Sequence, residues 1–473
     1  MKRRLAIAAC TSIVAGVLLC ADPALAQGAG KLEIYPSPPG PDYYSAHEDT
    51  FTVRVREPGG PWRDLYEYRV MVDADNPQSA SMATFGMDGP VEVAVQKNNA
   101  DVRRVEVRPG SRGVAVRLEG GVAYFTLDRP ANLSVEFDGD RLHNLHLFAN
   151  PLYVAGAPTK GRRLVTFAPG IHTPPDGQDS FRFESDTDVR LAGGAILKGQ
   201  VDVSRAHDVR ITGPGILQGG KEGISVLFSQ NVEIDGPIVV NPKHYTLFCG
   251  QSSGLTLRNL RTFSAGGWTD GIDSMSCSDV HVDGAFLRTS DDSIAIYADR
   301  WDYHGDARNH VVENSTLWAD VAHPINIGLH GNKETPRTIE HLVFRNIDIL
   351  GHDEDDRDYQ GAMAITDGDN NLVRDVVFDD IRVDRIEEGM LFNFKVVFNQ
   401  KYSLAPGRGI RDVTVRNVRL REGLVNRPVI AGFDAGRTVR GVVLEGVEGP
   451  DGAIGREGID LGAFVENLTV STR

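Results

Sequence analysis

Cysteine and positive charge are both scarce in this sequence. Four cysteines in 473 residues make no disulfide framework, and two of them, Cys10 and Cys20, fall close to the N-terminus. Lysine and arginine number 50 against 65 aspartates and glutamates, a formal net charge of −15. That balance argues mildly against nucleic acid as a partner and against a polyanionic substrate, which one local basic patch would overturn. Beyond the N-terminus no stretch is apolar enough to span a bilayer. The sequence has no Gly-Lys-Ser/Thr phosphate loop and no Gly-x-Ser-x-Gly nucleophile, and its candidate motifs have no Cys/His metal spacing. No cofactor and no metal are expected.

The one long apolar run is N-terminal. A basic "MKRR" precedes "LAIAACTSIVAGVLL", and the small residues Ala24 to Ala26 stand before Gln27. This reads as a secretory signal peptide over residues 1–26, too short and wrongly flanked for an anchor. Leu19 is not the small residue that would make Cys20 a lipidation site. Removal leaves 447 residues (473 − 26) with a net charge of about −17 (−15 − 2), exported to the periplasm or the extracellular space. That length asks for two domains, and a monomer is expected.

A short phrase recurs through the second half, alternating apolar and polar positions and broken by Asn, Asp or Gly. It begins at Asp188, Asp208, Asn231, Gly254, Asp279, His310, His341, Asp375, Asp412, Gly441 and Asn467, at intervals of roughly 20 to 37 residues. Each copy reads as strand, turn and second strand. Repetition at this period is the signature of a β-solenoid; a propeller blade needs four strands and a longer repeat. The expected fold is all-β, a right-handed parallel β-helix over residues 161–473. Before it, stretches such as "TFTVRVRE", "PVEVAVQ" and "VAYFTL" lack the period and predict a small β-sandwich over residues 27–160.

A β-helix converts sequence distance into adjacency, because equivalent positions of neighbouring coils lie about 4.8 Å apart. Asp291 and Asp292 follow Asp270 by one interval of this repeat, and His323 follows Asp292 by one longer interval. Three successive coils therefore bring all four onto one patch. Adjacent Asp residues are costly in a strand, and pairs also occur at Asp355–Asp356 and Asp379–Asp380 as ordinary surface acids. A crowded carboxylate cluster does have a use: repulsion keeps one carboxyl protonated as an acid while another, ionised, activates water. A histidine beside them holds the network or tunes the acid.

The ordered set "TDGID", "SDDSIAI" and "HPINIG" resembles the active-site motifs of the β-helical glycoside hydrolase clan of polygalacturonases (family 28) and of dextranases with isopullulanase (family 49). "FAPGIH", "LAGGAILKG" and "ITGPGILQG" resemble that clan's opening coils, and the resemblance covers about residues 160 to 400. It implies an inverting hydrolase without a metal, Asp291 as general acid, Asp270 and Asp292 as the carboxylates that hold and activate water, and His323 at the family histidine. The polygalacturonase Asn-Thr-Asp is here Trp268-Thr269-Asp270, and the coil expected to carry its Arg-Ile-Lys reads "YQGAMAITDGDNN". Both departures, with the acidic run Asp353 to Asp358 and the preceding sandwich, resemble family 49 and imply a neutral α-glucan of dextran or pullulan type. Lys395 and Arg374 keep a pectic substrate as the alternative.

Trp268, Tyr245, Tyr297 and Trp301 are candidate platforms for sugar rings, although each alone fits core or loop packing. His244, Lys243 and His330 are candidates for binding hydroxyl groups. Cys249 and Cys277, about one coil apart, are expected as free, buried thiols ahead of a disulfide. Two rival functions remain. A uronate lyase needs a cationic site that these coils lack, and a noncatalytic glycan-binding solenoid would release no reducing ends.

Overall fold

The recurring phrase marks one structural event. In the computed structural model, which describes residues 32–153, 158–423 and 426–472, Asp208, Asn231, Gly254, Asp279, Asn309, His341, Asp375, Asp412, Gly441 and Asn467 all have left-handed backbone, with φ between 53° and 70°. These are the phrase's starting residues, except that Asn309 takes the place of His310; the first turn lies at Asp186 rather than Asp188. A second left-handed column follows each strand, at Gly236, Asn259, Gly284, Asn314, Asn346, Asp380 and Asn417 among others. Asn, Asp and Gly occupy these corners because they adopt this conformation at least cost.

Between the corners the chain winds as a parallel β-helix with three sheet faces. Ser253–Arg258, Arg261–Phe263 and Ile272–Met275 form one coil; Ser278–Asp283, Phe286–Thr289 and Ile294–Tyr297 form the next. They pair in parallel, with Leu255 opposite Val280, Arg261 opposite Phe286 and Ile272 opposite Ile294. Alternate residues point inward and stack into columns such as Ile211, Ile234, Leu257, Val282, Val312, Phe344, Phe378, Val415 and Leu444. This apolar interior supplies the main stabilisation. Its polar intruder His310 meets Ser274 Oγ at 2.8 Å, and burial pushes its pKa down to about 4, so it stays neutral.

Residues ahead of the coils form two sheets around their own core. One has six strands and includes Glu67–Val72, Gln78–Met87, Ala131–Phe137 and Leu145–Pro151; the other has five and includes Phe51–Arg56, Val91–Lys97 and Val122–Leu127. Phe51, Val93, Phe125, Leu133 and Leu147 pack between them. The far face of the six-stranded sheet presents Tyr68, Val70, Met82 and Phe148 to Ile216, Ile238, Phe263, Phe286 and Trp318 of the coils. Two fully buried arginines cross this contact. Arg261 donates to Asn150 Oδ1 at 2.7 Å. Arg288 pairs with Asp320 at 2.8 Å, donates to Asn144 Oδ1 at 3.0 Å, and lies over the Trp318 ring, 3.8 Å from its centroid.

Cys249 and Cys277 form a disulfide, with Cα atoms 6.5 Å apart, which corrects the expectation of free thiols. Cys249 pairs in register with Ser274 of the next coil, and Cys277 lies just past that strand in the same buried interior. One coil of separation and a shared interior together bring the sulfurs into contact. Replacing both by alanine should cost about 3 kcal/mol, from the loop closure released in the unfolded chain, read as a lower urea midpoint. Among the described residues no helix is long and apolar enough to cross a membrane; the signal-peptide reading, residues 1–26, lies outside them.

Candidate active site

The register explains the spacing of the acids. Ile272, Ile294 and Ile325 are partners on three successive coils. Two residues before each stand Asp270, Asp292 and His323. The bonds Gly271 N–H to Asp292 O (2.8 Å) and Ser293 N–H to His323 O (2.7 Å) continue the ladder to that level. The steps from Asp270 to Asp292 and from Asp292 to His323 are thus two turns of the helix, the second lengthened by the loop at 298–306. Asp270, Asp291 and Asp292 each bring one carboxylate oxygen within 4.8 Å of the others.

Trp268 (φ 59°) and Ala322 (φ 67°) are left-handed here, as is Trp301 (φ 53°). Such conformations at residues other than Gly, Asn or Asp carry strain and cluster at functional sites. The turn at Trp268 directs its N–H to Asp291 Oδ2 at 3.1 Å, while the Asp292 N–H donates to Asp291 Oδ1 at 3.0 Å. The turn at Ala322 delivers His323, whose N–H meets Asp292 Oδ1 at 3.1 Å and whose Nδ1 meets the same oxygen at 2.7 Å. Asp292 Oδ2 accepts from Asn326 Nδ2 at 2.7 Å and from the Tyr297 hydroxyl at 3.4 Å. His323 Nε2 is bonded to the Tyr359 carbonyl.

These partners drive the carboxyl groups apart in acidity. Burial works against charge on Asp292, but the His323 cation and the Asn326 and His323 hydrogen bonds outweigh it, leaving Asp292 below the usual carboxylate range. Burial, reinforced by Asp292, pushes Asp291 up to about 6. Burial and then the neighbouring Asp273, Asp291 and Asp292 push Asp270 far up. Burial also pushes Asp273 up to about 8, against the pull of Arg300. Although burial opposes it, the Asp292 carboxylate lifts His323 to about 9, so it stays protonated at neutral pH. The patch therefore holds one ionised acid beside a half-buried acid that keeps its proton well into the mildly acidic range.

The other candidates divide by exposure. Trp268 and Trp301 are 72% and 54% exposed. Tyr245 and Tyr297 are buried and floor the site instead of offering a free ring. Tyr297 packs its ring against His330, whose pKa burial pushes down to about 3. His244 lies 3.6 Å from Glu222 one coil earlier, and Lys243 is exposed beside it. Lys395 is paired with Asp358 at 3.3 Å. Arg374 bonds Glu340 at 2.7 Å on a neighbouring sheet face.

Four residues escaped the sequence reading: Asp273, Asn326, Arg300 and Tyr359. Asp273 and Asn326 share the outward column Phe248, Asp273, Ala295 and Asn326. Strand alternation after Asp270 carries the signal for Asp273, since Ile272 points into the core. Arg300 lies over Tyr297 and Trp301, 4.9 and 4.7 Å from their ring centroids; it arrives on a loop that folds back, which no periodicity encodes. Two further groups gather three ligating side chains, Asp186 with His207 and Asp208, and Glu340 with His341 and Asp375; both sit at the left-handed corners.

Comparison with known proteins adds three findings. Residues 170–448, more than half of the chain, match the model of glycosyl hydrolases family 28. A search of curated proteins finds no match. Among solved structures the chain is similar to Dex49A from Penicillium minioluteum, at 15% identity and a TM-score of 0.55 over 92% of this chain and 96% of that one. It is also similar to the family 28 exopolygalacturonase of Yersinia enterocolitica, at 11% identity and a TM-score of 0.49 over 86% and 99%. At 15% identity the likeness to Dex49A bears on the fold alone.

Proposed function

We propose, from the premise that the chain belongs to glycosyl hydrolases family 28, that it is an exported, inverting hydrolase of a neutral α-glucan. Asp291 donates its proton to the glycosidic oxygen as the bond to the anomeric carbon breaks. Asp292 takes a proton from the attacking water, and Asp270 holds that water from the adjacent coil. The observation that carries this reading is the opposite tuning of two adjacent acids, Asp291 upward and Asp292 downward.

Oxygens within 4.8 Å of one another are closer than the usual gap of an inverting pair. Double displacement would need an unencumbered carboxylate as nucleophile. Asp292 Oδ1 takes two bonds from His323 and Oδ2 a short one from Asn326, which orient the carboxylate, and the long 3.4 Å contact from Tyr297 leaves Oδ2 a lone pair for a proton from water; Asp270 is held toward its neutral form. These features favour single displacement by water.

Neutral sugar is favoured because the coil from Tyr359 to Asn371 contains no Lys or Arg, and Lys395 and Arg374 are already paired. Arg300 is the observation that favours a second reading, a pectic chain: burial opposes its charge, but Tyr297, Tyr245, Asp273 and Asp270, in that order, raise its pKa, which puts a guanidinium beside the acid cluster. Reducing-sugar release from dextran, pullulan, polygalacturonate and rhamnogalacturonan decides between them. Release from dextran or pullulan is expected; release from polygalacturonate alone would establish the second reading, and release from none would overturn both.

A further inference from the structure

We infer that Tyr43 and Tyr44 form a distal binding surface for the glycan chain whose scissile bond lies at Asp291; this rests on the hydrolase reading above. The two tyrosines sit on the single helical turn Asp42–Ser45 and are 40% and 80% exposed. They meet edge to face, with ring centroids 5.2 Å apart, and Tyr43 lies parallel to His47 at 5.9 Å. The turn is fixed to the coils and to the sheet that packs on them. Lys198 Nζ donates to Asp42 Oδ1 at 2.5 Å, and the Tyr66 hydroxyl donates to the Tyr43 carbonyl at 2.5 Å. Upstream, Tyr35 lies so close to Gly193 that a Cβ there would come 2.0 Å from its ring.

The surface is aligned with the acids. Lys198, Gln218, Val240, Phe263 and Arg288 are register partners on five successive coils, and the last two lead into the turns of Asp270 and Asp291. Four coil steps separate Lys198, which holds the tyrosine turn, from Arg288, three residues before Asp291, a span of about 19 Å along the helix axis. One strand of the six-stranded sheet, Glu67–Val72, runs beside this column. Tyr66, just ahead of it, holds Tyr43; Met71 N–H bonds Asn241 Oδ1 at 3.2 Å, and Ala74 N–H bonds Ser290 Oγ at 3.0 Å, one residue from Asp291.

The coils between offer groups suited to sugar. Trp301 lies parallel to Tyr245, with centroids 6.2 Å apart and 18° between the planes. Its loop folds back over Gly250, where a Cβ would come 2.3 Å from Tyr303. Exposed Lys243 and half-buried His244 stand between Trp301 and Lys198 in coil order, backed by the buried Glu222, which Lys221 and His244 hold. Exposed aromatic faces separated by hydrogen-bonding side chains fit a polysaccharide, whose rings carry apolar faces and equatorial hydroxyls. A trisaccharide spanning Asp291 would not reach Tyr44.

The test compares wild type with Tyr44→Ala and with the Tyr43→Ala/Tyr44→Ala double variant, on the polymer that wild type cleaves and on the trisaccharide of that polymer. The ratio of kcat/KM for polymer to that for trisaccharide should fall about tenfold, the loss expected for one or two aromatic contacts. Thermal unfolding at the wild-type temperature shows that the exposed substitutions leave the fold intact. An unchanged ratio, with wild type active, would overturn the distal surface and leave the hydrolase reading standing. Absence of cleavage of any of the four glycans by wild type would overturn the hydrolase reading and this inference with it.

Discussion

Asp291→Asn is expected to lower kcat by about a hundredfold to ten-thousandfold on whichever glycan the protein hydrolyses, the range for loss of a general acid. The change is nearly isosteric and removes one carboxylate from a repelling pair. Asn can still accept one of the two N–H bonds from Trp268 and Asp292, so the urea midpoint should move by less than the equivalent of about 1 kcal/mol. The wild-type pH profile carries the same assignment. An acid must be protonated to act, so kcat/KM falls as pH rises through about 6, where Asp291 ionises. The base must be ionised, and because Asp292 lies below the usual carboxylate range, the acidic limb falls below that range too. A basic limb near pH 8 would move the donor to the Asp270–Asp273 pair.

Arg288→Met should cost about 3–5 kcal/mol, the penalty for leaving a buried partner charge uncompensated. Arg288 is fully buried between sheet and coil, and its guanidinium makes two bonds to Asp320. Burial already pushes Asp320 upward, with Arg288 holding it back; the variant releases that restraint. A carboxyl raised in the folded state binds its proton more readily folded than unfolded, so acid favours the fold. The loss is therefore largest at neutral pH and shrinks as pH falls through the raised value. Urea midpoints at pH 7 and pH 5 read both effects. The double variant Arg288→Met/Asp320→Leu should recover most of the stability, since apolar replacement of a buried pair is often neutral. A loss in Arg288→Met below about 1 kcal/mol at pH 7 would mean that the contact is solvated.

The winding of the chain was legible because its corners have a chemical requirement. Asn, Asp and Gly recur at the left-handed turns, and strand alternation fixes which residues enter the core. The same logic brought Asp270, Asp292 and His323 together, since the coil register is a matter of counting. Features outside the repeat were not legible. Arg300 and the fold-back of Trp301 depend on a loop between coils. The burial of Tyr245 and Tyr297 depends on what that loop covers. The disulfide depends on two side chains sharing one interior, which a separation of one coil permits without requiring. Asp273 was within reach, three residues after Asp270 on an outward position of the following strand.

The central claim is single displacement by water at the Asp291–Asp292 pair. Proton NMR during the first minutes of hydrolysis, on the glycan that releases reducing ends, reads it from the anomeric signal of the new end. Cleavage of an α-linkage should show the β-anomer first, with the α-anomer growing only through mutarotation. The α-anomer appearing first would contradict the account and require a covalent glycosyl intermediate.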